Sequence, residues 1–166
     1  PEYGAINNIL ALFGIEGPSW LQSSKWAMPA IVLASVWKDM GYFGLMLMSG
    51  LQGINQEYYD AAAIDGAGKI KQFTRITLPL LTPTLFFVLI ISLINSFQLF
   101  TQIMIMTPDG GPLGSTMVMV ERIYKCGFRY YEMGTAAAYS WILFAILLLL
   151  TMVQMKLQNK WVNYDD

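Results

Sequence analysis

The chain has 166 residues, of which 55% are hydrophobic and only 13% charged, with a formal net charge of −1. A water-soluble domain carries about a quarter charged residues, so the composition points to a membrane protein, and the lack of a basic excess argues against nucleic acid as a partner. Histidine is absent and Cys126 stands alone, which excludes an internal disulfide and leaves no ordinary soft metal site.

The sequence opens at Pro1 without a signal peptide and is expected to be the later part of a longer chain. Residues 1–27 hold Pro, Gly, Asn and Trp and read as an interfacial loop with a short helix near 5–13. The stretch 28–51 is a candidate span, interrupted by Lys38 and Asp39. Each charge costs a few kcal/mol near a bilayer centre, so the pair lies nearer an interface or faces a wet cavity. Residues 52–78 form a polar connection. From Ile76 to Pro108 no residue is charged, and Pro79 and Pro83 suit a first helical turn, where a missing N–H costs little, so a second span is predicted at 83–106.

Residues 107–133 start with "TPDGGPLGST", a plain turn, and continue as an amphipathic surface helix with Tyr124, Phe128, Tyr130 and Tyr131 at headgroup level. Glu121, Arg122, Lys125 and Glu132 read as a solvated face. A third span is predicted at 134–155, uncharged up to Met155. Each run meets the roughly 20 residues that cross a bilayer core, which makes the fold class all-α, a polytopic membrane helical bundle. With 52–78 and the tail 156–166 inside, Lys69, Lys71, Arg75, Lys156 and Lys160 oppose Lys25, Arg122, Lys125 and Arg129. Charge therefore leaves the orientation open. The methionines read as packing filler.

Two segments carry candidate function. In "EYYDAAAIDGAGKIKQF" (57–73) a short helix from Glu57 to Ile64 is predicted, stopped by Gly66 in the left-handed conformation, with a second helix at 69–76. Three alanines leave a smooth surface for another protein's backbone. Tyr58, Tyr59 and Ile64 suit a pocket, and Asp60 and Asp65 accept charge-assisted hydrogen bonds. The plainer alternative is a helical hairpin packed on its own protein. In "ISLINSFQLFTQ" (91–102), Ser92, Asn95, Ser96 and Gln102 share a broad face at helical spacing, near Phe97 and Phe100. They face a cavity, or they act as hydrogen-bonding glue between helices.

"YYDAAAIDGAGKIKQFTRITLPLLTPTL" resembles the EAA signature loop in membrane subunits of ATP-binding-cassette importers, and the wider pattern is similar to their carbohydrate-uptake, maltose-transporter-like branch. "ALFGIEGPSWL", "GLQGINQEYYDAAAIDGA", "ITLPLL", "TPDGGPLGST" and "FRYYEMGTAAAYSWIL" extend the likeness over nearly the whole chain. The sequence departs from the pattern with Asp60 in place of Glu and Asn55 in place of Pro.

The resemblance implies roughly the C-terminal half of a type I importer transmembrane domain. It makes 52–78 cytoplasmic and 107–133 external, in a bacterial or archaeal cytoplasmic membrane. Tyr58, Asp60, Ala61, Ala62, Asp65 and Gly66 would couple to an ATP-hydrolysing subunit, which holds ATP and magnesium; this chain itself would bind no cofactor and do no bond chemistry. A second permease subunit, membrane lipid and an extracytoplasmic solute-binding protein are the other implied partners, and the solvated face at 121–132 would suit the last. The implied substrate path is Ser92, Asn95, Ser96 and Gln98, joined by Tyr42 beside Phe43 and, from the stripe, by Gln102. The implied cargo is a sugar or related polyol. Glycerol phosphates are the alternative, which would want a basic residue in the path, and Lys38 is the only one inside a span. An ion-coupled secondary transporter or a membrane scaffold are the rival classes.

Overall fold

The computed structural model describes residues 4–158 and 162, and among these every regular element is helical. The tail expected inside at 156–166 lies mostly outside the described residues. Helix α1 (Ala5–Leu12) matches the short helix expected near 5–13. Its buried Asn7 accepts the indole N–H of Trp20 at 2.6 Å and donates to the Pro18 carbonyl at 3.2 Å.

The two long helices follow the apolar runs closely. α2 (Ala27–Gln52) and α9 (Met133–Gln158) have 26 residues each, about 39 Å at 1.5 Å per residue, and both are long and apolar enough to cross a membrane. Val36, Trp37 and Leu45 on α2 and Trp141 and Leu149 on α9 stay exposed. An apolar surface of that extent is stable against lipid or another protein rather than water.

The helix predicted over 83–106 is broken. α6 (Thr82–Phe97) has 16 residues, about 24 Å, short of a bilayer core of about 30 Å. Residues 98–100 leave the helix, and α7 (Thr101–Met106) follows. No Gly or Pro marks this break. Phe100 instead leaves ideal helical geometry (φ −119°, ψ −55°) with its ring 5.2 Å from that of Tyr124, which in turn stacks on Phe128 at 5.5 Å. A tertiary aromatic contact thus accompanies the break. It also lies at a residue that has left α6, so Phe100 is off the helix that carries the polar stripe.

At its other end, α6 follows a 60° bend from the helical run Lys69–Leu80. That run is α4 (Lys69–Gln72), a π turn (Phe73–Thr77) and α5 (Leu78–Leu80). Pro83 has no N–H to bond the Pro79 carbonyl. The Thr82 hydroxyl takes over, donating to that carbonyl at 2.6 Å.

The chain divides into two compact units, one of the residues up to 38 with 96–145, the other of 39–95 with the chain from 146 onward. In the second, Gly50 of α2 meets α6: a Cβ there would lie 2.5 Å from Thr84 Oγ1 and 2.9 Å from Leu81 Cδ1. Only glycine permits that approach, as in small-residue contacts between membrane helices.

In the first unit, 107–116 is more than a plain turn. Two 3-10 turns carry Asp109 (φ 63°) and Leu113 (φ 55°) in the left-handed region, and the buried Thr107 and Thr116 hydroxyls bond at 2.9 Å. The surface helix expected after it is short: α8 (Met119–Tyr124) runs into a second π turn (Lys125–Arg129). The solvated face is corrected in part. Arg122 and Glu132 are exposed, whereas Glu121 is 0% exposed and Lys125 7%. Glu121 Oε1 lies 3.1 Å from Lys125 Nζ, yet neither carboxylate oxygen has a directed hydrogen bond. Charge pairing without full hydrogen bonding is the physical state of that group.

Lys125 also reaches Asp109 at 3.7 Å, and Arg129 bonds the same carboxylate. The Arg129 hydrogen bond holds the Asp109 carboxyl below its ordinary value of 3.8, and Asp109 raises the Arg129 guanidinium in return. A depressed carboxylate keeps its stabilising charge at neutral pH and loses it only as pH falls through the lowered value.

The candidate coupling helix and solute path

Helix α3 (Gln56–Ile64) realises the short helix predicted from Glu57 to Ile64. Asn55, the departure from the family's proline, is its N-cap: the side chain accepts the Glu57 N–H at 3.1 Å. Such a cap stabilises a helix by about 1 kcal/mol relative to alanine, and proline at this position could not supply it.

The far end closes as a Schellman motif. Ala67 N–H donates to the Ala62 carbonyl at 2.9 Å and Gly66 N–H to the Ala63 carbonyl at 3.0 Å, with Gly66 at φ +72°. That pair of bonds requires a left-handed residue after the C-cap, as predicted for Gly66.

No residue of α3 is buried. Tyr58, Ala61 and Asp65 recur at i, i+3 and i+7, and all three are exposed, while Ala62 beside them is half-buried. Asp60 is exposed on a neighbouring face, its Oδ1 accepting from Gln56 Nε2 at 3.2 Å. Ile64 is 88% exposed, and Ile70 and Phe73 beyond the turn are exposed too. The helix therefore presents carboxylates, smooth alanine surface and uncovered apolar side chains together. Tyr59 is different. Expected to fill a partner's pocket, it is half-buried and bonds Thr77 Oγ1 at 2.9 Å. The second short helix, expected as one piece at 69–76, is α4 plus the π turn.

The candidate path residues divide among elements. Tyr42 is exposed on α2, its ring edge-on to Phe43 at 5.5 Å. Ser92, Asn95 and Ser96 stay on one face of α6 at i, i+3 and i+4, Ser92 half-buried and the other two exposed. Gln98 sits exposed in the break, and Gln102 is half-buried on α7. Gln102 is thus not on the α6 face, contrary to the single-helix spacing. What the sequence missed is the backbone itself: a helix end leaves carbonyls, and a helix start N–H groups, without intrahelical partners.

The family model for binding-protein-dependent transport system inner membrane components matches residues 5–164. The chain is 36% identical over 98% of its length to the probable ABC transporter permease protein YesP of Bacillus subtilis (strain 168), covering 53% of that protein. It is 38% identical to the sulfoquinovosyl glycerol transport system permease protein SmoG of Agrobacterium fabrum (94% of this chain, 50% of that one). Identity is 37% with the sn-glycerol-3-phosphate transport system permease protein UgpA of Shigella flexneri (99% and 56%). The chain therefore spans about half the length of the curated relatives it matches.

Among solved structures, a bacterial ABC transporter involved in the import of the acidic polysaccharide alginate superposes with a TM-score of 0.81 at 24% identity, over 95% of this chain and 55% of that one. A bacterial alginate ABC transporter in complex with an alginate pentasaccharide-bound periplasmic protein gives 0.82 at 24% identity, with the same coverage. At that identity the likeness establishes the fold, an all-helical ABC-importer membrane fold. Its relatives are named permease proteins, not enzymes. From α1 to the end of α9, the chain belongs to the family of binding-protein-dependent transport system inner membrane components.

Proposed function

We propose that this chain forms part of the permease of an ATP-driven importer that moves a sugar or related polyol, delivered by an external solute-binding protein, across a bacterial or archaeal cytoplasmic membrane. The observation that carries the reading is α3: a capped, mostly exposed helix between apolar stretches, locked at Gly66. Its Tyr58, Asp60, Ala61, Ala62, Asp65 and Gly66 would dock on the ATP-hydrolysing subunit, which would hold ATP and magnesium. A second permease subunit would complete the solute path, and this chain would bind no cofactor of its own. ATP-driven movement of the docked helix would then shift the spans between two states, and the solute acts on that same equilibrium.

The path would include Tyr42, Ser92, Asn95, Ser96, Gln98 and Gln102, beside main-chain groups freed by the break at 98–100. Irregular backbone at membrane depth is tolerated where it is covered by protein or lines a wet cavity. A glycerol-phosphate cargo is the second reading, favoured by relatives named for it. Lys38, exposed midway along α2, is then the residue to test.

Asn95→Leu is expected to lower transport affinity or rate severalfold, up to about tenfold, as loss of a neutral hydrogen bond worth about 0.5–1.5 kcal/mol predicts. Uptake competition among several sugars, alongside assembly in detergent, is the measurement. An unchanged sugar ranking with weakened assembly would return Asn95 to a role as glue between helices. The orientation is tested separately by labelling Ile70→Cys and Leu113→Cys in sealed vesicles. Both sites are exposed, and reaction from opposite sides is expected; equal reaction from one side sinks the topology.

A further inference from the structure

The bond between Tyr59 and Thr77 joins two parts of the second unit that lie far apart in sequence. Thr77 is buried and ends the π turn at the foot of the bent segment. The C-terminal end of α3 is held independently, by the Schellman closure and by Gln72 Nε2 donating to the Ala67 carbonyl at 3.2 Å. Helix α3 is thus attached to the segment that follows at two points, on the order of 10 Å apart along its axis at 1.5 Å per residue. A rod held at one point pivots there. Held at two, it passes on rotation as well as displacement.

The receiving segment is suited to respond. A π turn carries a residue more than an α turn and recurs at functional sites. Directly after it, Pro79 removes one backbone donor and Pro83 another, and the 60° bend falls between Leu80 and Thr82. The Tyr59 hydroxyl arrives at Thr77, just before the residues that lack these donors.

We propose that Tyr59 and Thr77 are positioning residues of the coupling step: their hydroxyl pair ties α3 to the foot of α6, so that movement of α3 changes the bend at 78–82. This rests on the reading of α3 as the helix that docks on the ATPase. The pair needs no contact with solute or nucleotide. Its effect belongs to the ratio of solute moved to ATP consumed.

The test uses the complete importer reconstituted in proteoliposomes. Tyr59→Phe and Thr77→Val each remove one hydroxyl at nearly constant volume, and Thr77→Ser keeps it. Solute transported per ATP hydrolysed is expected to fall about two- to tenfold in Tyr59→Phe and in Thr77→Val, the effect of one lost neutral hydrogen bond. The double variant should be no worse than the more affected single one, and Thr77→Ser should stay near the parent. An unchanged ratio, or additive losses in the double variant, overturns the proposal. So does lower thermal stability alone, which would mark the bond as merely structural. A cross-link from Ile64→Cys to the ATPase subunit separates the two levels of failure. Its absence rejects docking through α3 and the proposal with it; its presence beside an unchanged ratio rejects the proposal alone.

Discussion

Gly66→Val is expected to cut solute uptake by about tenfold or more while leaving the chain inserted in the membrane. Gly66 sits at φ +72°, and nothing lies within 4 Å of where a Cβ would stand. The penalty is therefore conformational and owes nothing to crowding. A β-branched residue is strongly disfavoured in the left-handed region, at a cost of about 1–2 kcal/mol or more. Most simply, the backbone relieves it by abandoning the Ala67–Ala62 and Gly66–Ala63 bonds, which re-aims α3 and its exposed face. Gly66→Asn, which tolerates the conformation, should retain most activity. Uptake in cells, normalised to membrane-embedded protein, is the measurement, and parent-like uptake by Gly66→Val would end the coupling role of this turn.

The second large effect is on stability. Lys125→Met leaves the carboxylate of Glu121, 0% exposed, without its only ion-pair partner among the described residues. Breaking one side of a buried pair costs about 3–5 kcal/mol, because the remaining charge is stranded away from water. Replacing both partners is expected to undo most of that loss. Thermal unfolding of the purified complex should show a large drop for Lys125→Met and near-parent behaviour for Glu121→Leu combined with Lys125→Met. A double variant as unstable as the single one would show that Lys125 matters through Asp109 instead. Arg129 bonds Asp109 directly, and none of these variants replaces either residue.

What the sequence made legible follows the physics of each feature. The long helices were readable because a long, mostly apolar run has one stable solution in a bilayer, even with Lys38 and Asp39 inside the first, and α2 and α9 end within a few residues of 28–51 and 134–155. The end of α3 was readable because glycine after an alanine run has a single common use. Other features leave no local mark. Nothing in "SFQLF" announces a break, and the ring that Phe100 meets there belongs to Tyr124, more than twenty positions away. Opposite charges at i and i+4 look alike whether wet or buried, so Glu121 and Lys125 were placed on the wrong side of the surface. The first π turn carries no Gly or Pro that would separate it from an α turn, and Gly127 in the second reads as a helix stop. Tyr59 and Tyr58 are adjacent and identical, and only three-dimensional placement tells that one turns inward.

The gap between α6 and α7 also bears on how such a permease would change over evolutionary time. Main-chain carbonyls and amides belong to every residue alike, so exchanging one side chain for another at 98–100 leaves those groups in place. Chain length is another matter. One residue inserted or deleted within α6 itself would turn every later position of that helix by about 100°, since a helix makes a turn every 3.6 residues, whereas the irregular residues 98–100 can absorb such a change. A length change ahead of Ser92 in α6 would therefore re-aim its polar face, and one at the gap would leave that face as it is.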